Sequence, residues 1–581
     1  MLNLKQIYNL LLTSFLITGL IIASSCRKDD PEIIDNDTIP INHIIDTLTG
    51  LGHEQSGDYT WDANSVTSII LQGSSISANS PNVTVNGSLA TITAQGNYII
   101  SGTLDNGSII IDAGKEDLVR IILQNATIHN STGPAVFIDK ARKVIINLAG
   151  NSVNYLSDGP SYSLSDPDPN ATLFSKADLT IFGSGSLNVD GDFKDGIGGK
   201  DGLIIKSGTY NIHTVDDGIR GKNYLIIQDA DLSIESGGDG LKSDEQTDPK
   251  PGNVTLENTS LRAVTNGDGI SAKGSIGINK GYYNIVSGGG NEADTSSRSQ
   301  TGLTAGNAIF LNPDSVYIDA VDHDIDSHTI TQIISGVFTL YSARAGIHSN
   351  QEIDVKDGQI EIIRAMEGFE SHTIHISGSS INIHSIDDCF NATAGYDVDY
   401  DDQSLIDISG GYLMLDCILG DGIDSNGDIE ISGGTVIIHG PQSAPDVAAD
   451  FNGEMNINGG FLIGAGTNSE LMEYPDSTSS QNSLVAIFTQ SYPKNTVFNI
   501  TDDQGAAIVT FIPNDQYQSV LFSSPALITG KTYRIYVEGS VSDPGIDGIS
   551  GGVYTPGTLL TDFTLRKKVT VLPDLNSSGG H

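Results

Sequence analysis

Between Asp195 and Asp268 short β-branched runs alternate with polar turns at a fixed interval. The stretches FKDGIGGK, VDDGIRGK, GGDGLKSD and NGDGISAK follow one another, and the runs between them, such as LIIKSGTYNI and LIIQDADLSI, alternate apolar and polar positions. A period of two puts one side of each strand in a core and the other in water. The Asp-Gly pairs at Asp195, Asp217 and Asp239 stand 22 residues apart; the next, at Asp268, is delayed by the insert around DEQTDPKPG. A unit of that length has no room for a helix plus a strand, so copies must stack to cover their apolar sides. The pattern predicts an all-β fold, a right-handed parallel β-helix with about 22 residues per coil.

The register continues in weaker lettering through Thr301, His323, Ala345, Glu367, Asp388 and Asp421, and a final coil aligns IDSNGDIEISGG with ADFNGEMNINGG. Coil length persists where most of the acids are replaced, so it belongs to the fold. From about residue 481 the period is lost, and runs such as SLVAIFTQ and KTYRIYVEGS predict a small β-rich cap. A stacked rod needs such an end because a bare last coil would template edge pairing.

The N-terminus reads differently. Lys5 precedes an apolar run too short to span a bilayer, followed by IIASSC. This resembles a bacterial lipoprotein signal over residues 1–26 with Cys26 lipidated, the alternative being an ordinary secretory signal with an incidental Cys. The charged RKDD after it resembles a surface-export tag of outer-membrane lipoproteins. The expected division is then a polar tether over 27–57, the β-helix over 58–480, and cap and tail over 481–581.

Composition narrows the function. Asp and Glu number 72 against 29 Lys and Arg, a net charge of −43, which disfavours nucleic acid as a partner. The single tryptophan, Trp61, leaves no flat tryptophan platform for crystalline polysaccharide. Cys389 and Cys417 fall out of register on neighbouring coils and are expected as buried thiols, and the chain is expected to be a monomer.

Stacking also has an electrostatic cost. Aspartates of successive coils would lie about 5 Å apart, where unit charges repel by about 0.8 kcal/mol in water and about 3 kcal/mol at an effective dielectric near 20. A column of Asp195, Asp217 and Asp239, thickened by Asp216, calls for cations, and Ca2+ tolerates irregular oxygen ligation. Asp387-Asp388, Glu367 with Glu370, and Asp421 with Asp424 repeat the doublet lower down. Asp-Gly is equally explained as turn chemistry, with Asp bonding backbone and Gly taking positive φ. A further acidic loop, Asp397, Asp399, Asp401 and Asp402, is a partial calcium motif. Lys200, Lys222 and Lys273 share a coil position and read as a salt-bridge ladder; alternatively Arg220 or Lys222 beside calcium serves as base in β-elimination from a uronate.

At these residues the chain resembles a known family, the bacterial carbohydrate-binding, calcium-containing, pectate-lyase-like β-helix proteins of the clostridial cellulose- and pectin-binding type. YTWD (59–62), NYIISGTL (97–104), the Asp-Gly coils, MEGFES (366–371), DDCFNA (387–392) and the closing SSPAL and GKTYRIYVEGS carry the resemblance. It implies calcium between stacked acidic turns and binding of a plant-type polysaccharide without lyase activity. By position it implies Asp216, Asp217, Asp239, Glu367, Glu370, Asp387, Asp388 and Asn391 as ligands. Two middle coils depart from the pattern, with Asp322-His323 and Arg344-Ala345 in place of the doublet.

Overall fold

Inward and outward positions alternate in the structure as they do in the sequence. In the strand Tyr224–Ser236, Leu225, Ile227, Leu232 and Ile234 are buried. They stack on Leu203, Ile205, Tyr210 and Ile212 of the coil before and on Val254, Leu256, Leu261 and Ala263 of the coil after. These continuous strands turn a corner midway, at Asp229, Asn258 and Lys280, each with φ near 50–60°. Asp and Asn tolerate the left-handed conformation better than most residues, and the corner lets one run of 13 residues cover two sides of the coil.

The computed structural model describes residues 44, 45, 47, 48, 50, 52–246, 252–293, 299–395, 400–469 and 472–575. The expected signal and Cys26 lie outside the described residues, as do Asp397 and Asp399. The chain is all-β, and among the described residues strand pairs with strand, coil upon coil, in parallel register from Gly96–Leu104 on Leu118–Asn130 to Thr435–His439 on Phe461–Gly466.

The alignment on Asp-Gly is a spatial ladder. The Gly196 N–H donates to the Asp217 carbonyl at 3.1 Å, Gly218 to Asp239 at 2.8 Å, Gly240 to Asp268 at 2.9 Å, Gly269 to Thr301 at 3.0 Å and Gly302 to His323 at 3.1 Å. It passes through Ala345 opposite Glu367, then from Gly368 to Asp388 and from Cys389 to Asp421.

Both ends break the parallel pattern. At the start, the strands Val66–Gly73 with Ile76–Ala78, and Val83–Asn86 with Leu89–Ile92, pair antiparallel. At the other end Phe461–Gly466 meets Tyr517–Ser523 antiparallel. Beyond it Phe488, Phe498, Phe511, Phe522 and Ile535 form a second apolar cluster around a four-stranded sheet.

The stretch expected as a tether behaves otherwise in its described part. Ile45 is buried, and the His53 ring bonds the Tyr224 hydroxyl at 2.6 Å and Thr180 Oγ1 at 2.8 Å. Lys206 pairs with Glu54 at 2.6 Å, and the fully buried Lys143 ammonium pairs with Asp58 at 2.5 Å. A buried ammonium needs a paired carboxylate, and the polar segment supplies it. The segment is a strap laid across the coils. Burial first, then Lys143, pushes His53 down to about 3, so it stays neutral there.

Candidate functional site

Five ladder acids each commit one oxygen to backbone. Asp217 Oδ1 accepts the Asp239 N–H at 2.9 Å, Asp239 Oδ1 accepts Asp268 N–H at 2.8 Å, and Asp268 Oδ1 accepts Thr301 N–H at 2.9 Å. Lower down, Asp388 does the same for Asp421 at 2.5 Å, and Asp421 for Val447. The turn reading of Asp-Gly therefore fails for these acids, whose bonds run to the backbone of the next coil and not to their own turn. For the glycine the reason differs from the expected one. Gly218 and Gly240 are not at positive φ. A Cβ on either would stand 2.6 Å from a carbonyl oxygen of the coil below, so glycine is required by close approach of coils.

Asp195, Asp216 and Asp217 form one group whose carboxylate oxygens lie within 4.8 Å of one another. Asp195 is 1% exposed; its Oδ2 accepts from Asn170 Nδ2 at 2.7 Å, and its Oδ1 is buried with no hydrogen-bond partner among the described residues. Burial, and then the charges of Asp217 and Asp216, push Asp195 up to about 8. Two ligands of one calcium, each about 2.4 Å from it, are at most about 4.8 Å apart, so this donor set fits a hard divalent cation.

Asp239 is not part of that group. The Lys242 ammonium stands 3.0 Å from Asp217 Oδ2 and 2.9 Å from Asp239 Oδ2, in the gap where an ion was expected. Burial alone would lower Lys242, and the two carboxylates more than reverse it. The lysine ladder is also placed differently. Lys200 pairs with Asp168 at 2.5 Å and Lys222 with Glu245 at 2.9 Å, both off the column. Relief comes instead from the residue three after two of the ladder aspartates: Lys242 after Asp239 and, after Asp217, Arg220, whose Nη1 is 3.9 Å from Asp195 Oδ2. Three residues after Asp239 and Asp217 is a legible offset, and it is the signal that sequence reasoning passed over.

The second group is Asp421, Asp424 and Asp450, again with oxygens within 4.8 Å. Asp450 was missed, although Glu370, Asn391, Asp424 and Asp450 occupy one row in strict parallel register. The surrounding acids press on one another. Burial, then Glu370 and Asp387, raises Glu367 to about 8; burial, then Glu367 and Asp424, raises Asp388 to about 10. Asp421 is held at about 8 and Asp424 at about 7, by burial and then by Asp424 and Asp450 respectively. Asn391 donates to Glu367 Oε2 at 3.4 Å. Glu370, Asp387, Asp388 and Glu367 border this group without joining the tight triad. In the middle coils two acids are matched, Asp322 to Arg344 at 3.7 Å and Asp326 to His348 at 2.6 Å. Asp324 there is fully buried with neither oxygen hydrogen-bonded among the described residues, and burial pushes it well up. Cys389 and Cys417 are buried and unbridged. Cys389 and then burial push the Cys417 thiol up.

Beside the first triad a groove of about 310 Å3 is lined by Asn170, Lys194, Lys200, Arg220 and Lys222, with Asp168. Four cations on one wall are exceptional on a chain of charge −43. Arg220 is tied to Asp244 by a 2.7 Å hydrogen bond and Lys222 to Glu245, so both are held as charged donors.

A family model described as carbohydrate-binding domain-containing protein matches residues 86–346. A protein of that description from Acetivibrio thermocellus is 35% identical over 173 residues, 28% of this chain and 60% of the relative's own length. A solved structure titled as the polysaccharide lyase-like protein from C. thermocellum, gadolinium derivative, is 26% identical, covering 44% of this chain and 94% of that one, with a TM-score of 0.36. The Asp195–Asp217 triad and its groove lie inside the stretch similar to the carbohydrate-binding domain-containing family, and the Asp421–Asp450 triad lies beyond it.

Proposed function

We propose that the protein is a non-catalytic polysaccharide-binding lipoprotein, anchored through Cys26 in the outer membrane, exposed on the cell surface, and loaded with Ca2+. Its coils wind right-handed, the hand that parallel crossovers adopt. The observation that carries the reading is the placement of a three-carboxylate group beside a cationic groove. Asp195, Asp216 and Asp217 would hold one ion, and Asp421, Asp424 and Asp450 another. A uronate carboxylate in the groove can then meet both a bound ion and the Lys194, Lys200 and Arg220 side chains, which reconciles an acidic chain with an acidic ligand. Similarity to a carbohydrate-binding family over residues 86–346 supports the ligand class.

Titration calorimetry with polygalacturonate tests it. Binding is expected in calcium and lost in EDTA and in Asp216→Asn/Asp217→Asn. Equal heats with and without chelator would remove the ion from the mechanism. A second reading, a calcium-dependent polysaccharide lyase, draws on Arg220 and Lys222 both lining the groove. It requires growth of the ultraviolet absorbance of unsaturated uronate ends, abolished by Arg220→Ala or Lys222→Ala. The paired state of both side chains favours binding, since a general base must be free to take a proton. If calcium raises the melting temperature while no glycan binds, the acids serve only a structural rod.

A further inference from the structure

A second surface carries glycan-recognition chemistry without any acid column. The outward sides of the strands Gly202–Thr214, Tyr224–Ser236, Asn253–Thr265, Ile276–Ser287 and Ser315–Ala320 form a trough of about 380 Å3. Parallel register stacks their side chains in rows: Asn211, Arg262, Asn284 and Tyr317 fall in one, and Asp231 and Tyr282 in the row beside it. Tyr282 is 64% exposed, a large aromatic left in water on a side of the sheet that no other element covers among the described residues. The Tyr317 ring lies 5.7 Å from that of Tyr341 in the next coil, extending the aromatic surface along the stack. The lining carries one formal charge of each sign, Asp231 and Arg262, and the Arg262 guanidinium also stands 3.5 Å from Glu235 Oε1 of the coil before. With no cluster of carboxylates in its lining, the trough differs from both carboxylate groups.

We propose that this trough is a metal-independent subsite for a neutral, linear polysaccharide lying along the stack. The inference rests on the polysaccharide reading above and adds a second site to it. Tyrosine faces accept the apolar C–H side of a pyranose while amides and guanidinium bond its hydroxyls. Coils repeat every 4.8 Å or so, about the length of one sugar in an extended chain, so each further sugar meets the next coil's member of the same rows. The trough's volume is in the range that holds a small ligand, and its open ends admit a polymer.

Native affinity gels containing soluble β-glucan, xylan, galactomannan or polygalacturonate, run in calcium and in EDTA, decide it. At least one neutral polymer is expected to retard the protein equally in both buffers. Tyr282→Ala and Arg262→Ala, checked by thermal melts for intact folding, should each weaken that retardation about tenfold. Both variants should leave polygalacturonate retardation in calcium unchanged, and Asp216→Asn/Asp217→Asn should show the reverse. Neutral-polymer retardation that survives both trough substitutions overturns the assignment, as does polygalacturonate binding with no neutral polymer bound. Neutral binding with polygalacturonate silent would remove the calcium reading alone, and silence from all four polymers would remove both.

Discussion

The upper acid column, Asp195 to Asp268, and the lower one, Glu367 to Asp450, are built on the same backbone ladder and differ in one row of side chains. Three residues after the ladder position the upper coils carry Arg220, Lys242 and Ser271; the lower coils carry Glu370, Asn391, Asp424 and Asp450. In the upper column the ammonium of Lys242 sits between Asp217 and Asp239 and Arg220 leans on Asp195, so two members of the Asp195–Asp216–Asp217 triad already have a cation beside them. In the lower column the main influences on Glu367, Asp388, Asp421 and Asp424 are burial and neighbouring acids. A column of acids is thus not by itself a metal site. What matters is whether the neighbouring row already brings a cation.

The largest expected effect follows from the lower column. Calcium at about a hundred times its dissociation constant should stabilise the fold by about 2.7 kcal/mol per site, and Asp424→Asn/Asp450→Asn should remove about half of the calcium-dependent rise in melting temperature. A rise undiminished in that variant would place the ion elsewhere. Next, Lys242→Met should destabilise the calcium-free protein by about 2 kcal/mol, because Asp217 and Asp239 lose the partner they share. Added calcium should recover part of that loss, making the upper gap resemble the lower; denaturant melts with and without calcium would show whether it does.

A smaller effect is expected from pH. Glu367 and Asp421 sit at about 8 in the folded, ion-free chain, well above their unfolded values. A raised folded pKa means the native state holds protons that the unfolded state has released, so stability is full at low pH and declines as pH rises through about 8. Thermal melts in EDTA should therefore fall from pH 5 to pH 9. In saturating calcium the slope should flatten or reverse, since ligation needs the ionised form. Melts in EDTA that climb over that window would show these acids to be ionised without a divalent ion. The smallest expected effect is on affinity: Asp450→Asn alone should weaken calcium binding about tenfold, read by calorimetry, and Asp239→Asn should leave it unchanged because Lys242 already occupies that gap.

Coil length, strand alternation and the ladder positions from Asp195 to Asp421 were legible in the chain because a repeat states its own register: residues at equal offsets must stack if equal coils do. Asp450 was legible by the same rule, one step beyond Asp424. The strap was not. Its polar letters read as a linker, and its partners Tyr224 and Lys143 stand 171 and 85 residues away from His53 and Asp58. Nor could the letters say that Gly218 answers to a carbonyl 2.6 Å from its missing Cβ, since the turn explanation uses the same residue.

By itself, then, the sequence determined an all-β stack with its apolar interior and the column on which the acids stand, because these are local and periodic properties. Only the tertiary structure decided which carboxylates share a gap, which gap Lys242 fills, and which outward rows line the trough. Those depend on distances between side chains of different coils and on burial, and a one-dimensional period carries neither.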